Sequence, residues 1–138
     1  MEEETIPPAD VEEAILGKWR SVKTEGMDEF AEAYNIDKSK IPANPYCELD
    51  ITKDDEGAYI FMNKSDGGVK TLRHELGKPL KDNVMGREID IVTVWDGRRL
   101  VTSNVKGDSS LSRSIVDGRL VCVVITADFT ITTTFERC

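Results

Sequence analysis

Alternating apolar and polar residues, interrupted by turns rich in glycine and aspartate, fill the chain from residue 46 to its C-terminus. This period of two is typical of strands with one buried face, and Asp-Gly pairs supply the positive φ that tight hairpins need. The pattern predicts ten strands, at Lys18–Thr24, Tyr46–Lys53, Ala58–Lys64, Val69–Leu76, Pro79–Asn83, Arg87–Trp95, Arg99–Val105, Ser110–Val116, Arg119–Thr126 and Phe129–Glu136.

Helical spacing is confined to the N-terminal part of the chain. Apolar residues recur at i, i+3, i+4 and i+7 over Met27–Tyr34, which predicts a helix with one apolar face. A shorter helix is predicted at Val11–Ile15. The prolines at 42 and 45 allow at most one further helical turn, because proline disfavours helix continuation and biases the preceding residue to extended conformations.

A long run of sequential hairpins is expected to close on itself, because closure removes the exposed strand edges that otherwise pair with other chains. We therefore predict an all-β fold, a ten-stranded antiparallel up-and-down β-barrel. About eight strands are enough to hold a small ligand, so a barrel of ten has room for a larger cavity. The architecture itself suggests a binding function.

The acidic composition of the chain disfavours negatively charged binding partners. The chain has 138 residues, 26 of them acidic and 18 basic, and its net charge of -8 repels nucleic acid and anionic membranes. Residues 1–10, with three consecutive glutamates and two prolines, are predicted to be a flexible acidic tail, and residues 11–138 a single domain. A monomer that does not bind nucleic acid and does not insert stably into membranes is expected.

Three cysteines form an odd set without CxxC spacing, so neither a disulfide framework nor a metal site is predicted. The N-terminus has neither the basic nor the apolar segment of a secretory signal, and we expect a cytoplasmic protein. No motif of a hydrolase, kinase or dinucleotide-binding enzyme occurs, so we expect a non-enzymatic protein without a cofactor.

Polar residues lie on strand faces that are otherwise apolar. Arg113 alternates in phase with Leu111 and Ile115, which points its charge inward. A buried arginine requires a counter-ion, ordered water or an anionic ligand. A bulge or a position at the barrel rim explains the pattern equally well.

Other inward polar groups are predicted beside this arginine. His74, the single histidine, lies between Leu72 and Leu76, and a hydrogen-bonded core residue is favoured there over a ligand contact. Thr102 and Asn104 share the inward face of their strand. A few polar groups in an apolar concavity are typical of a small-molecule site.

Several segments resemble the intracellular lipid-binding proteins, meaning the cytosolic fatty-acid-binding proteins and their retinoid-binding relatives. The resemblance covers about residues 15 to 138. Its motifs are Leu16-Gly17-Lys18-Trp19, Gly26-Met27-Asp28-Glu29-Phe30, Trp95-Asp96-Gly97, Arg113-Ser114-Ile115-Val116-Asp117-Gly118-Arg119-Leu120 and Thr132-Thr133-Thr134-Phe135-Glu136-Arg137.

The resemblance implies a barrel capped by a short helix-turn-helix lid, with a cavity that holds a fatty acid or a similar amphipathic lipid. Arg113 falls on the family's inward arginine for the ligand carboxylate, and Arg87 matches an arginine on the lid side or is a solvated strand start. Thr133 and Phe135 replace the family's Arg-x-Tyr pair. The ligand-binding residues predicted in this way are Arg113, Thr133, Phe135, Met27, Phe30, Leu72, His74, Arg87, Thr102, Asn104 and Ile115.

Two functions remain open at this point. The first is a carrier for a hydrophobic carboxylate, with ligand exchange through the lid at Met27–Tyr34 and the Asp66-Gly67 turn, and with transient membrane contact through the lid. The second is a barrel scaffold or protein-interaction module with weak or altered lipid or retinoid binding, which the missing Arg-x-Tyr pair permits. A secreted lipocalin is disfavoured, because lipocalins normally carry a signal peptide and a long C-terminal helix.

Overall fold

The computed structural model describes residues 9–41, 45–65, 68–84 and 87–138. In order along the chain, the elements are α1 (Ala9–Ile15), β1 (Gly17–Glu25), α2 (Met27–Ala33), a 3-10 turn (Lys38–Lys40), β2 (Cys47–Lys53), β3 (Tyr59–Ser65), β4 (Gly68–His74), β5 (Leu80–Val84), β6 (Arg87–Asp96), β7 (Arg99–Asn104), β8 (Ser109–Val116), β9 (Arg119–Thr126) and β10 (Thr130–Arg137).

The ten strands form one antiparallel sheet in the order β4-β3-β2-β1-β10-β9-β8-β7-β6-β5. Apart from β4 and β5, strands that follow one another in sequence are neighbours, and β1 also pairs with β10. Only β4 and β5 lack a ladder between them among the described residues, so the barrel is open at that seam. The predicted up-and-down barrel is confirmed.

Most strand ends lie within two residues of the predicted positions, because the turn chemistry sets them. At the β8–β9 hairpin, for example, Asp117 and Gly118 both adopt positive φ, at 51° and 77°. The single turn allowed after α2 is the 3-10 turn, in which the Asp37 carboxylate accepts a hydrogen bond from Ser39 N at 3.0 Å. The predicted tail and the Asp66-Gly67 turn lie outside the described residues, except that Ala9 already begins α1.

Helix α1 closes one end of the barrel. Val11 and Ile15, one helical turn apart, are 4% and 0% exposed and join the core around Trp19 and Trp95. On the same face, Glu12 accepts a hydrogen bond from the hydroxyl of buried Tyr59. Helix α1 therefore extends the core at this end of the barrel.

The last turn of α1 is held by side chains from the barrel. Arg137 of β10 donates to the carbonyl oxygens of Leu16, at 2.9 Å, and Ala14. The indole of Trp19 donates to Ile15 O at 2.9 Å. These donors satisfy carbonyls that the end of a helix leaves without intrahelical partners, and the cation also suits the negative end of the helix dipole.

Candidate functional site

A cavity of about 320 Å³ lies inside the barrel. It is lined from both sides of the β4–β5 seam and from the opposite wall, where β8, β9 and β10 contribute. Its lining residues are Thr24, Pro45, Cys47, Leu49, Phe61, Asn63, Lys70, Leu72, His74, Asp82, Ile91, Thr102, Leu111, Arg113, Cys122, Val124, Thr133 and Phe135. Apolar walls with a few polar groups suit an amphipathic small molecule.

Arg113 is the buried cation of this cavity. β8 pairs with both neighbouring strands through Arg113 without a bulge, and the residue is 5% exposed, so the charge is neither displaced nor at the rim. Its guanidinium lies 4.1 Å from the centre of the Phe61 ring, a cation–π contact. Burial lowers the pKa of Arg113 to about 10, so the group keeps its charge at neutral pH.

No carboxylate among the described residues forms an ion pair with Arg113. Its hydrogen-bond partner is the hydroxyl of Thr102, which accepts from Nη1 at 2.9 Å. Guanidinium carries five N–H donors, so most of them remain for another acceptor. An uncompensated buried cation costs several kcal/mol, as an order of magnitude, and this cost falls when an anion occupies the cavity.

A chain of buried hydrogen bonds continues from Arg113 across the cavity wall. The hydroxyl oxygens of Thr102 and Thr93, which face each other on β7 and β6, are 2.7 Å apart. Thr93 Oγ1 lies 2.9 Å from His74 Nδ1 on β4. Since β5 separates β6 from the seam, the Thr93–His74 contact connects the two sides of the opening.

His74 is neutral in this environment. It is 4% exposed, and burial, helped by the positive charge of Arg113, lowers the pKa of His74 to about 4 against the opposing effect of Asp82. The ring packs edge-on against Phe61, with centroids 5.1 Å apart. As predicted, His74 is a buried, hydrogen-bonded residue.

A second polar group lies at the seam. Lys70 of β4 extends across it, with Nζ 2.5 Å from Asp82 Oδ1 and 3.1 Å from the carbonyl oxygen of Asn83 on β5. Both Lys70 and Asp82 line the cavity. The ion pair therefore links the two edge strands that the sheet itself leaves unpaired.

Two thiols also line the cavity. The three cysteines are free, and Cys47 and Cys122 face the interior. Burial raises the pKa of Cys122 to about 12 and that of Cys47 above its ordinary value. Both thiols are therefore protonated and weakly nucleophilic at neutral pH.

The structure brings together part of the predicted ligand-binding set. The predicted residues that line the cavity are Arg113, Thr133, Phe135, Leu72, His74 and Thr102. Their side chains alternate inward on β4, β7, β8 and β10, which is why periodicity located them.

The other predicted residues lie outside the cavity lining. Met27 and Phe30 are on α2, where the Phe30 ring packs on Phe129 at 5.3 Å and on Tyr34 at 5.1 Å. Arg87 is exposed at the start of β6. The Asn104 side chain accepts from Lys106 N in the β7–β8 turn. The last of the set, Ile115, packs against the core.

Sequence reasoning missed several cavity residues. Phe61 and Asn63 alternate inward with Tyr59, and Lys70 alternates inward with His74. The same period-two rule that located Arg113 was therefore sufficient to place these side chains. Their partners are not encoded in the alternation, because a strand pattern assigns a side chain to a face and not to a contact.

No group of acidic, histidine or cysteine side chains in the described parts of the chain is arranged to hold a metal ion. Among the helices of those same parts, none is long and apolar enough to cross a membrane.

Known proteins share both the barrel and part of the sequence. Fatty acid-binding protein 5 from Bos taurus is 26% identical over 130 residues, which cover 89% of this chain and 94% of the bovine one. The crystal structure of Echinococcus granulosus fatty-acid-binding protein 1 superposes with a TM-score of 0.77 at 21% identity, covering 91% of this chain and 98% of that one. Zebrafish ileal bile acid-binding protein complexed with cholic acid has a TM-score of 0.77 at 17% identity, covering 91% and 99%. No family model matches the chain.

The ten-stranded barrel, which encloses a cavity with a buried cation, has the same fold as the fatty-acid-binding proteins. The sequence similarity to the bovine fatty acid-binding protein confirms the resemblance that the sequence motifs indicated. The chain is therefore similar, in its fold and in part of its sequence, to the intracellular lipid-binding proteins.

Proposed function

We propose that the protein is a soluble carrier that binds a hydrophobic carboxylate, a long-chain fatty acid, in the barrel cavity. The observation that carries this proposal is Arg113, a buried cation without an acidic partner among the described residues, in a cavity with mostly apolar walls. A carboxylate supplies the missing charge through charge-assisted hydrogen bonds. The names of the bovine and Echinococcus relatives support a fatty acid as the ligand.

In this proposal the carboxylate contacts Arg113, with the hydroxyl of Thr133 on the same wall, where both residues are in register with Cys122 of β9. The alkyl chain lies against Leu72 and Phe135. Each buried methylene contributes about 0.8 kcal/mol before the cost of ordering the chain. Because Thr133 and Phe135 offer one hydroxyl between them, Arg113 provides the main charge contact of the head group.

We further propose that the carrier is a monomer in the cytoplasm, with a single lipid-binding domain that includes α1 and the barrel. A net charge of -8 opposes stable adsorption to anionic bilayers, so contact with membranes is transient and made through α2. The protein acts by binding, without catalysis.

Titration with a fluorescent long-chain fatty acid tests the role of Arg113. Arg113→Met removes the charge and replaces the aliphatic part of the side chain by an unbranched apolar one, and we expect binding to weaken about 10- to 100-fold, the value of a hydrogen bond to a charged group. The variant is expected to fold, because replacing an uncompensated buried charge by an apolar group of similar volume seldom costs stability. Thermal unfolding checks this point.

Arg87→Met is the matched control, because it makes the same change at an exposed strand start outside the cavity lining. Its affinity should equal that of the wild type. Equal affinities for the wild type and Arg113→Met contradict the proposed head-group site. Mass spectrometry of protein purified without delipidation adds a direct measurement, and a wild-type barrel that binds no fatty acid and carries no lipid favours the scaffold function instead.

A further inference from the structure

The Arg113 side chain extends from its own wall into the interior of the barrel. It belongs to β8, whereas Phe61, whose ring lies against its guanidinium, belongs to β3 near the seam. In the sheet order, β2, β1, β10 and β9 lie between these two strands. The position of the charge inside the cavity therefore depends on what the far end of this long side chain contacts.

Two contacts of different kinds hold the guanidinium of Arg113. The Thr102 hydroxyl accepts a hydrogen bond from Nη1 at 2.9 Å, and a single hydrogen bond leaves the group free to turn about it. The Phe61 ring, whose centre is 4.1 Å from Cζ, attracts the cation through its π face. This attraction does not use up the N–H donors, of which guanidinium has five. Phe61 can therefore fix the charge and still leave it able to bind a head group.

The Phe61 ring is itself held by packing on several sides. It is 6% exposed, and its cross-strand neighbours are Ile51 on β2 and Leu72 on β4. Ile51 is fully buried, and the imidazole of His74 packs edge-on against the ring, with centroids 5.1 Å apart. Close packing of this kind leaves an aromatic side chain little freedom. Phe61 thus offers a rigid surface to a side chain that is otherwise flexible.

Accepting the proposed carrier function, we propose that Phe61 is a positioning residue that determines head-group specificity. It holds the Arg113 guanidinium where the head group binds, and so gives the cavity its preference for an anionic over a neutral amphipath. Binding an anion to a mobile guanidinium carries the cost of ordering that side chain, and contact with Phe61 removes this cost in advance. A neutral amphipath makes no charge contact, so its affinity does not depend on where the cation is held.

The neighbours of Arg113 on its own wall do not replace Phe61. Leu100 of β7 and Cys122 of β9 flank it in register, but an alkyl group and a protonated thiol offer the guanidinium neither a charge nor a ring. Phe135 lines the same cavity. Of the aromatic rings in the described parts of the chain, however, Phe61 alone lies over this cation.

The ratio of the affinities for decanoate and decanol, measured by calorimetry at neutral pH, separates positioning from simple packing. Phe61→Leu removes the ring, and the contacts that it loses with the alkyl chain weaken both ligands alike and cancel in the ratio. We expect the preference for decanoate to fall about 2- to 10-fold, the cost of ordering one long side chain. Phe61→Tyr keeps the ring and should keep the wild-type ratio. Thermal unfolding checks that both variants fold.

Phe135→Leu is the matched control for the loss of the ring. Phe135 is buried to a similar degree and lines the same cavity, but its ring does not lie over the guanidinium. The substitution is expected to weaken decanoate and decanol equally, so the ratio should equal that of the wild type.

NMR of the ligand-free protein with isotope-labelled arginine measures the positioning directly. The ring current of Phe61 should displace the guanidinium proton signals of Arg113, which are assigned by their absence in Arg113→Met. In Phe61→Leu these signals should move to the positions of the exposed arginines, whereas in Phe135→Leu they should stay. Unchanged Arg113 signals in Phe61→Leu contradict the positioning role.

The failure of this inference and that of the proposed function are distinguishable. If decanoate binds the wild type and binds less tightly to Arg113→Met, the carrier function stands. The positioning role is then wrong if the decanoate-to-decanol ratio is unchanged or rises in Phe61→Leu, or if it falls equally in Phe135→Leu. If neither decanoate nor a longer fatty acid binds the wild type, the proposed function is wrong, and the head-group preference is wrong with it.

Discussion

Phe61 contacts both the Arg113 guanidinium and the His74 imidazole in the cavity wall. One face of its ring contacts the Arg113 guanidinium, and the imidazole of His74 packs edge-on against it. The ring contacts both groups and both are buried, so the charge of Arg113 acts on His74 through a medium of low dielectric constant. A cation and a titratable base are in this way held close together without an acid between them.

At the residue scale, His74 should make the protein sensitive to mild acid. Its pKa lies at about 4 in the fold and near 6.5 when unfolded, so the unfolded chain binds a proton that the folded chain does not. Stability from this group is complete above pH 6.5 and is lost as pH falls toward 4, by on the order of 3 kcal/mol. Urea unfolding of the wild type and His74→Gln between pH 7 and 5 measures it. The difference between the two curves should grow on acidification, and parallel curves contradict the assignment.

At the element scale, α2 is fixed by the backbone that precedes it. Gly26 adopts φ +99°, and a Cβ at this position would lie 2.0 Å from the carbonyl oxygen of Thr130. The close approach sets where α2 crosses β10, and it places Phe30 on Phe129 instead of over the cavity. The helical spacing of Met27–Tyr34 predicted the helix and its apolar face. It did not predict the docking partner, because that depends on a backbone contact between segments distant in sequence.

We expect Gly26→Ala to destabilise the protein by about 3 kcal/mol, the sum of a positive-φ penalty and overpacking against rigid backbone. Gly107→Ala is the control. Gly107 has a similar φ of +82°, and no atom lies within 4 Å of the added Cβ. Its substitution should therefore lower the free energy of unfolding only through the positive φ, by about 1 kcal/mol. Equilibrium unfolding of both variants gives the comparison. If they are equally destabilised, the contact with Thr130 is not what limits this position.

At the scale of the whole molecule, the sequence predicted the strands and their faces but not how the barrel closes. Alternation and Asp-Gly turns are local signals, which is why the ten strands and the inward side of Arg113 were predictable. The contacts across the seam join Lys70 to Asp82 and His74 to Thr93. No periodicity links those positions, since the seam exists only once ten twisted strands have curved around a common axis.

The Lys70–Asp82 ion pair should stabilise the seam locally. In the sheet β5 pairs only with β6, and the ion pair adds a side-chain link from β4. Lys70 is half exposed, and we expect Lys70→Met to cost only about 0.5–1 kcal/mol, seen as two- to fivefold faster hydrogen exchange of the β5 amides. Lys23→Met is the matched control, because Lys23 pairs with Glu25 inside a single strand. Unchanged β5 exchange in Lys70→Met, or equal acceleration in the control, would mean that the ion pair does not restrain β5.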